Sequence, residues 1–132
     1  MNRTYPNTFG IYSNSTHSAT TVGTNATATG TAGGNSGMKV YSNTISNVNQ
    51  GIVVVGPTAL ADANSGIDIG GSSSATANTI VNFGTTTTSS YINVSGTVNG
   101  ILVRYSNGFN ISYNNITSSN GGVTAGTLNG IH

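Results

Sequence analysis

The residues of this chain able to move a proton, hold a metal or attack a carbonyl are few and far apart. The acids are Asp62 and Asp68, with no Glu; the bases are Arg3, Lys39 and Arg104; the imidazoles are His17 and His132. Sugar-cleaving sites need paired carboxylates for acid–base work, and calcium needs clustered carboxylates. Asp62 is expected on a loop and Asp68 on the outward side of a short strand, an arrangement that makes no such cluster. Neither His has a Cys, His or Glu at ligand spacing, which argues against zinc, and both are expected to be solvated. Ser and Thr abound, but a nucleophile needs a general base and an orienting acid, and no Gly-x-Ser-x-Gly elbow is present. Gly33-Gly34 and Gly70-Gly71 lack the following Lys and helix of a phosphate loop and are read as turns. The expectation is a non-enzyme with no catalytic, cofactor-binding or metal-ligating residues and no cofactor.

Composition says what must carry the fold instead. Charged residues make up 4% of the 132, against roughly 25% in an average domain, so solubility rests on neutral polar groups. Those groups come from 19 Asn, 17 Ser and 21 Thr, beside 19 Gly. Helix formers with long charged side chains are nearly absent and β-branched residues plentiful, which points to an all-β chain. Disorder is disfavoured, because the net charge is +1 and the 35% hydrophobic residues fall in short, spaced clusters. A neutral polar surface suits a secreted or cell-surface protein. The absence of Cys removes any disulfide framework, so stability must come from stacked strands. The near-neutral balance argues against nucleic acid, and no apolar run approaches the ~20 residues of a membrane span. Residues 1–9 lack the basic and apolar regions of a signal peptide and form a lead-in segment.

The elements that would position any chemistry come from an internal repeat. Gly followed by an apolar residue opens a short strand at Gly10-Ile11, Gly37-Met38, Gly66-Ile67, Gly100-Ile101 and Gly130-Ile131, at spacings of 27, 29, 34 and 30. Gly51-Ile52-Val53-Val54-Val55 is an extra copy, read as a later strand of the second coil. A second apolar pulse follows at Thr44–Val48, Asn78–Phe83 and Phe109–Tyr113. A third falls at Ile52–Val55, Tyr91–Val94 and Val123–Leu128. Three strands per coil make a roughly triangular β-helix over residues 10–132, with four to five coils of roughly 27–34 residues. Alternation places Ile11, Ser13, Met38, Val40, Ile67, Ile69, Ile101 and Val103 inward. It places Tyr12, Lys39, Asp68, Leu102 and His132 outward, where Lys39 and Asp68 share a column and could form a weak surface ion pair. Tyr-Ser-Asn at 12–14, 41–43 and 105–107 reads as a strand-to-turn signature, and Asn at turns can form hydrogen-bonded ladders. The loops 56–64 and 84–90 are the expected variable contacts.

These features resemble the pectin-lyase-like right-handed parallel β-helix superfamily. They are most like the Asn-, Gly-, Ser- and Thr-rich repeat regions of bacterial surface proteins and adhesins, including type IX secretion substrates. The carriers are Asn99–Val103, Tyr113–Ile116, Ser42–Asn47 and Ala77–Asn82. The resemblance implies the right hand of the β-solenoid and leaves activity open, because the superfamily holds lyases, hydrolases and non-catalytic adhesins. The chain stops at the opening of a new coil without an amphipathic cap, so the expectation is an open-ended piece of a longer solenoid, or a unit whose ends meet other copies.

The leading expectation for function is a structural or adhesive repeat segment. One alternative is a carbohydrate-active or carbohydrate-binding β-helix with its active coils elsewhere; outward Tyr12, Tyr41 and Tyr91 could stack on sugar rings. Another is a self-assembling extracellular filament subunit. Thr27, Thr29, Thr31 and the run Thr85–Thr88 do not recur at one position in successive coils, which disfavours ice binding. Six Asn-x-Ser/Thr sequons, starting at Asn2, Asn14, Asn25, Asn93, Asn110 and Asn115, are as many as the Ser and Thr content gives by chance.

Overall fold

The computed structural model describes residues 8–14, 34–84, 97–118 and 127–132. The strands are β1 (Phe9–Ser13), β2 (Lys39–Val40), β3 (Thr44–Ser46), β4 (Gln50–Val55), β5 (Asn64–Ser65) and β6 (Asp68–Ile69). They continue with β7 (Thr79–Val81), β8 (Thr97–Arg104), β9 (Ser106–Asn107), β10 (Asn110–Ile111), β11 (Asn115–Thr117) and β12 (Thr127–Ile131). Single 3-10 turns stand at Leu60–Asp62 and Ser74–Thr76. The fold is all-β, and its described strand pairs are parallel. Sheet I runs β1-β4-β8-β12, sheet II β2-β6-β10, sheet III β3-β7-β11 and sheet IV β5-β9. The chain visits sheets I, II and III in turn and comes back to sheet I one strand further along, so each circuit lies against the one before.

Register explains why the apolar residues are where they are. Ile11, Ile52, Ile101 and Ile131 form one column of sheet I. Val40, Ile69 and Ile111 form a column of sheet II, and Ile45, Ile80 and Ile116 one of sheet III. Apart from Ile131, which is exposed, these columns converge on one core with Val48, Val54, Ile67 and Phe83, in which Ile52, Ile69, Ile80 and Ile101 are fully buried. No circuit could close that core alone. Strands as short as two residues survive because their neighbours above and below share the burial.

The repeat read from the sequence merges two columns that the structure separates. Gly51 is no extra copy: with Gly10, Gly100 and Gly130 it forms the glycine column of sheet I. The corresponding isoleucines lie 41, 49 and 30 residues apart, so among the described residues successive strands of sheet I are spaced more widely and less evenly than the expected 27–34 residues. Gly37 and Gly66 belong to the turn that enters sheet II, where Gly108 joins them; all three have positive φ (72°, 63° and 59°), the conformation for which Gly carries no penalty. Asn110-Ile111 lies in sheet II, and the sheet III strand of that circuit is Asn115–Thr117. Tyr41-Ser42-Asn43 leads into sheet III while Tyr105-Ser106-Asn107 leads through sheet IV, so the shared tripeptide marks two different corners.

The outward side of sheet I is also not what alternation predicts. Val53, Val55 and Leu102 are buried there and pack with Phe9, Tyr12 and Tyr105 into a second apolar cluster. The Phe9 and Tyr12 rings stack 4.2 Å apart. His132 lies opposite Leu102, bonded to the backbone of Ile101 and Val103, and is outside the Lys39–Asp68 column. On sheet III, Thr79 stands between Thr44 and Asn115, and Val81 between Ser46 and Thr117, so neither flanking column holds one residue type. Thr27, Thr29, Thr31, Thr85–Thr88, His17, Tyr91 and most of the loop 84–90 lie outside the described residues.

Candidate functional site

The chemistry-bearing residues that come together are on the outer side of sheet II. Two-residue strands put Lys39, Asp68 and Asn110 side by side in one outward column. Tyr41 follows β2 and donates its hydroxyl to Asp68 Oδ2. Asn110 Nδ2 donates to Asp68 Oδ1 at 2.8 Å and to the Gly71 carbonyl at 3.1 Å. The Gly71 amide donates to the same Oδ1 at 3.1 Å, and Ser112 Oγ donates to Asn110 Oδ1 at 2.6 Å. Gly70 and Gly71 make this possible. Both have positive φ; a Cβ on Gly70 would fall on the Ser112 carbonyl, and one on Gly71 would come 3.2 Å from the Tyr41 ring.

The electrostatics follow from these contacts. The Tyr41 hydroxyl, then Asn110, hold the Asp68 carboxyl below its ordinary range against some desolvation, with the Gly71 amide and the Lys39 charge adding to the effect. The bond to Asp68, then burial and the carboxylate charge, push the Tyr41 phenol up. Both titrations are thereby moved away from neutral pH: Asp68 stays an anion and Tyr41 keeps its proton. A general acid or base works best with its pKa near the operating pH, and this pair is tuned the other way. With three donors on its oxygens, Asp68 acts as a fastener between circuits.

Of the residues weighed from sequence, Lys39 and Asp68 are brought together as neighbours, and Lys39 acts on the carboxylate through its charge. Asp62 lies on its own 3-10 turn. Among the described residues, no three His, Cys, Asp or Glu gather where they could hold a metal ion, and no helix is long and apolar enough to cross a membrane. Asn110, Ser112 and the hydroxyl of Tyr41 were not anticipated at this site. A signal existed: Gly108-Phe109-Asn110-Ile111 has the same Gly-apolar-polar-apolar form as Gly37–Val40 and Gly66–Ile69.

Amide ladders bind the circuits elsewhere. Asn43 Nδ2 donates to Asn78 Oδ1 at 3.0 Å, and Asn78 Nδ2 to Asn114 Oδ1 at 2.9 Å. On sheet I, Asn129 donates to Asn99 at 3.0 Å, and Asn99 to Gln50 Oε1 at 3.0 Å. Asn82 donates to Asn47 at 2.6 Å at a corner where both hold positive φ. A cleft of about 200 Å³ opens beside the last circuit, lined by Phe83, Ile116, Ser118, Leu128 and Gly130.

Comparison of the chain with protein-family models, with curated proteins and with solved structures gives no match.

Proposed function

We propose that this chain is a run of parallel β-helix serving as a structural or adhesive segment of a secreted or cell-surface protein, with no catalysis of its own. The observation that carries this reading is where the polar groups are spent. The carboxylate of Asp68 is bound by Tyr41 just after β2, by Asn110 of β10 and by its own turn, and the asparagine amides of sheet I and of the corners entering sheet III are consumed in ladders. Side chains committed to holding one circuit to the next favour a stiff rod over a reactive cleft. The near absence of charge fits an exposed surface outside the cytosol.

Electron cryomicroscopy of the protein as its natural source presents it tests the reading. Consecutive coils along an extended particle are the expected result. A capped domain with a sugar held beside Asp68, or polysaccharide cleavage that disappears in Asp68→Asn, would overturn it. Carbohydrate contact without cleavage is the second reading. It is favoured by Tyr41, whose ring is fixed by its hydroxyl on Asp68 next to outward Lys39 and Asn110.

A further inference from the structure

Four Asn-Gly steps stand in the sequence, at Asn99, Asn107, Asn120 and Asn129. Such a step is open to attack by its own backbone, because a glycine nitrogen has no neighbouring Cβ to obstruct its approach to the preceding carboxamide. The structure sets the described steps apart. Asn99 lies inside β8, only 4% exposed, where its side chain donates to Gln50 Oε1 at 3.0 Å and accepts from Asn129 at 3.0 Å. Asn129 lies inside β12 and spends its amide on the same ladder. Asn107 differs from both. It is the last residue of β9, it is exposed, and its carboxamide has no hydrogen-bond partner among the described residues. Gly108 follows it at a corner with φ 59°. Asn120 lies outside the described residues.

The exposure of Asn107 belongs to its column, whatever lies above it. Asn107 pairs with Ser65, and the Gly66 amide donates to the Asn107 carbonyl at 3.3 Å. Ser65 has neighbours on both sides, bonded to Ser36 Oγ and the Gly37 amide on one and paired with Asn107 on the other, and it is exposed all the same. Side chains at this corner therefore face solvent even between stacked circuits. Only Tyr105 separates β8 from β9, so no loop of this circuit folds over the corner. We infer that Asn107 is a modification site, at which spontaneous deamidation produces aspartate and isoaspartate between β9 and β10. The Gly108 nitrogen, its proton lost to a solvent base, attacks Asn107 Cγ. The Cγ–Nδ2 bond breaks, and Nδ2 leaves as ammonia with a proton taken from water. Water then opens the five-membered succinimide. Addition at Cγ restores the main chain and leaves aspartate; addition at the main-chain carbonyl of residue 107 routes the chain through the side chain and leaves isoaspartate. Water is the only co-reactant. Either product adds a third carboxylate to a chain that has two.

The test incubates the full, folded chain at mildly alkaline pH, which favours the backbone amide anion, and samples it over time. Tandem mass spectrometry with electron-based fragmentation locates each conversion and separates aspartate from isoaspartate. Conversion at Asn107 is expected to run at least about tenfold faster than at Asn99, whose amide must first leave its buried ladder through a local opening. The same incubation in denaturant removes that protection, and the two rates converge. An Asn107 that stays intact in the folded chain, or one that converts no faster than Asn99, overturns the site. A rate ratio that is unchanged in denaturant overturns it too, since the preference would then owe nothing to the fold.

Discussion

The side-chain amide of Asn78 is fully buried, and its Nδ2 reaches Asn114 Oδ1 at 2.9 Å, 36 residues further along the chain. The same nitrogen donates to the Val40 carbonyl at 2.8 Å, while Oδ1 accepts from the backbone amide and side chain of Asn43, each at 3.0 Å. One residue thereby ties three circuits together. Buried polar groups are tolerated where every donor and acceptor is matched, and Asn78 meets that condition.

Asn78→Leu should therefore destabilise the chain although it keeps the same branched arrangement of heavy atoms. It strands the Asn43 amide and Asn114 Oδ1 and takes one of two donors from the Val40 carbonyl, which keeps the Gly70 amide, for a cost of about 2–3 kcal/mol. Urea denaturation followed by circular dichroism checks this; an unchanged midpoint would mean that the ladder contributes nothing net.

Within the glycine column, the same substitution should have opposite outcomes at adjacent positions. Gly100→Ala brings a methyl against the Gly130 carbonyl at 2.6 Å and Ile116 Cγ2 at 2.7 Å, and should cost about 1–3 kcal/mol as overpacking does. Gly130→Ala meets nothing within 4 Å among the described residues and should leave the midpoint nearly unchanged. Paired thermal melts of the two variants decide it.

Leu102→Ala should lose about 2–3 kcal/mol, the cost of truncating a buried leucine. Simple alternation would make this a harmless surface change; burial with Val53 and Val55 makes it a core change. The measurement is again the denaturation midpoint.

Acid should weaken the fold through Asp68. Its carboxyl titrates lower in the folded chain than in the unfolded one, so its stabilisation is present above the ordinary carboxylate value of about 3.9 and fades as pH falls through the folded value. Tyr41 works in the other direction: its raised phenol stabilises the fold below the ordinary tyrosine range and stops doing so as pH rises through the folded value. Denaturation midpoints measured across pH should show the acid limb flattened in Asp68→Asn and the alkaline limb flattened in Tyr41→Phe.

Much of the architecture is legible in the residues. Ser42–Asn47, Ala77–Asn82 and Tyr113–Ile116 look alike in sequence and do stack, because each places an asparagine two residues ahead of an inward isoleucine. The outward column of Lys39 and Asp68 is equally legible, since alternation along a strand is a local property. The partners of Asp68 are less so. Asn110 reaches it from 42 residues away, and Tyr41 reaches it from beyond the end of β2. Such contacts depend on register between strands.

The sequence by itself determined an all-β chain of short strands with Gly and Asn corners, apolar on one side, and poor in groups that could do acid–base or metal chemistry. Composition and period-two alternation carry that information within a few residues of any point. The tertiary structure alone decided which strand lies on which. Gly37-Met38-Lys39-Val40 and Gly51-Ile52-Val53-Val54 are the same kind of segment to a local reading, yet they stand in different sheets. The difference comes from collective burial: loops lengthen at little entropic cost, so residue spacing drifts from 30 to 49 while the isoleucine columns stay aligned. Tertiary packing also buried Leu102 and brought Tyr41 and Asn110 onto Asp68.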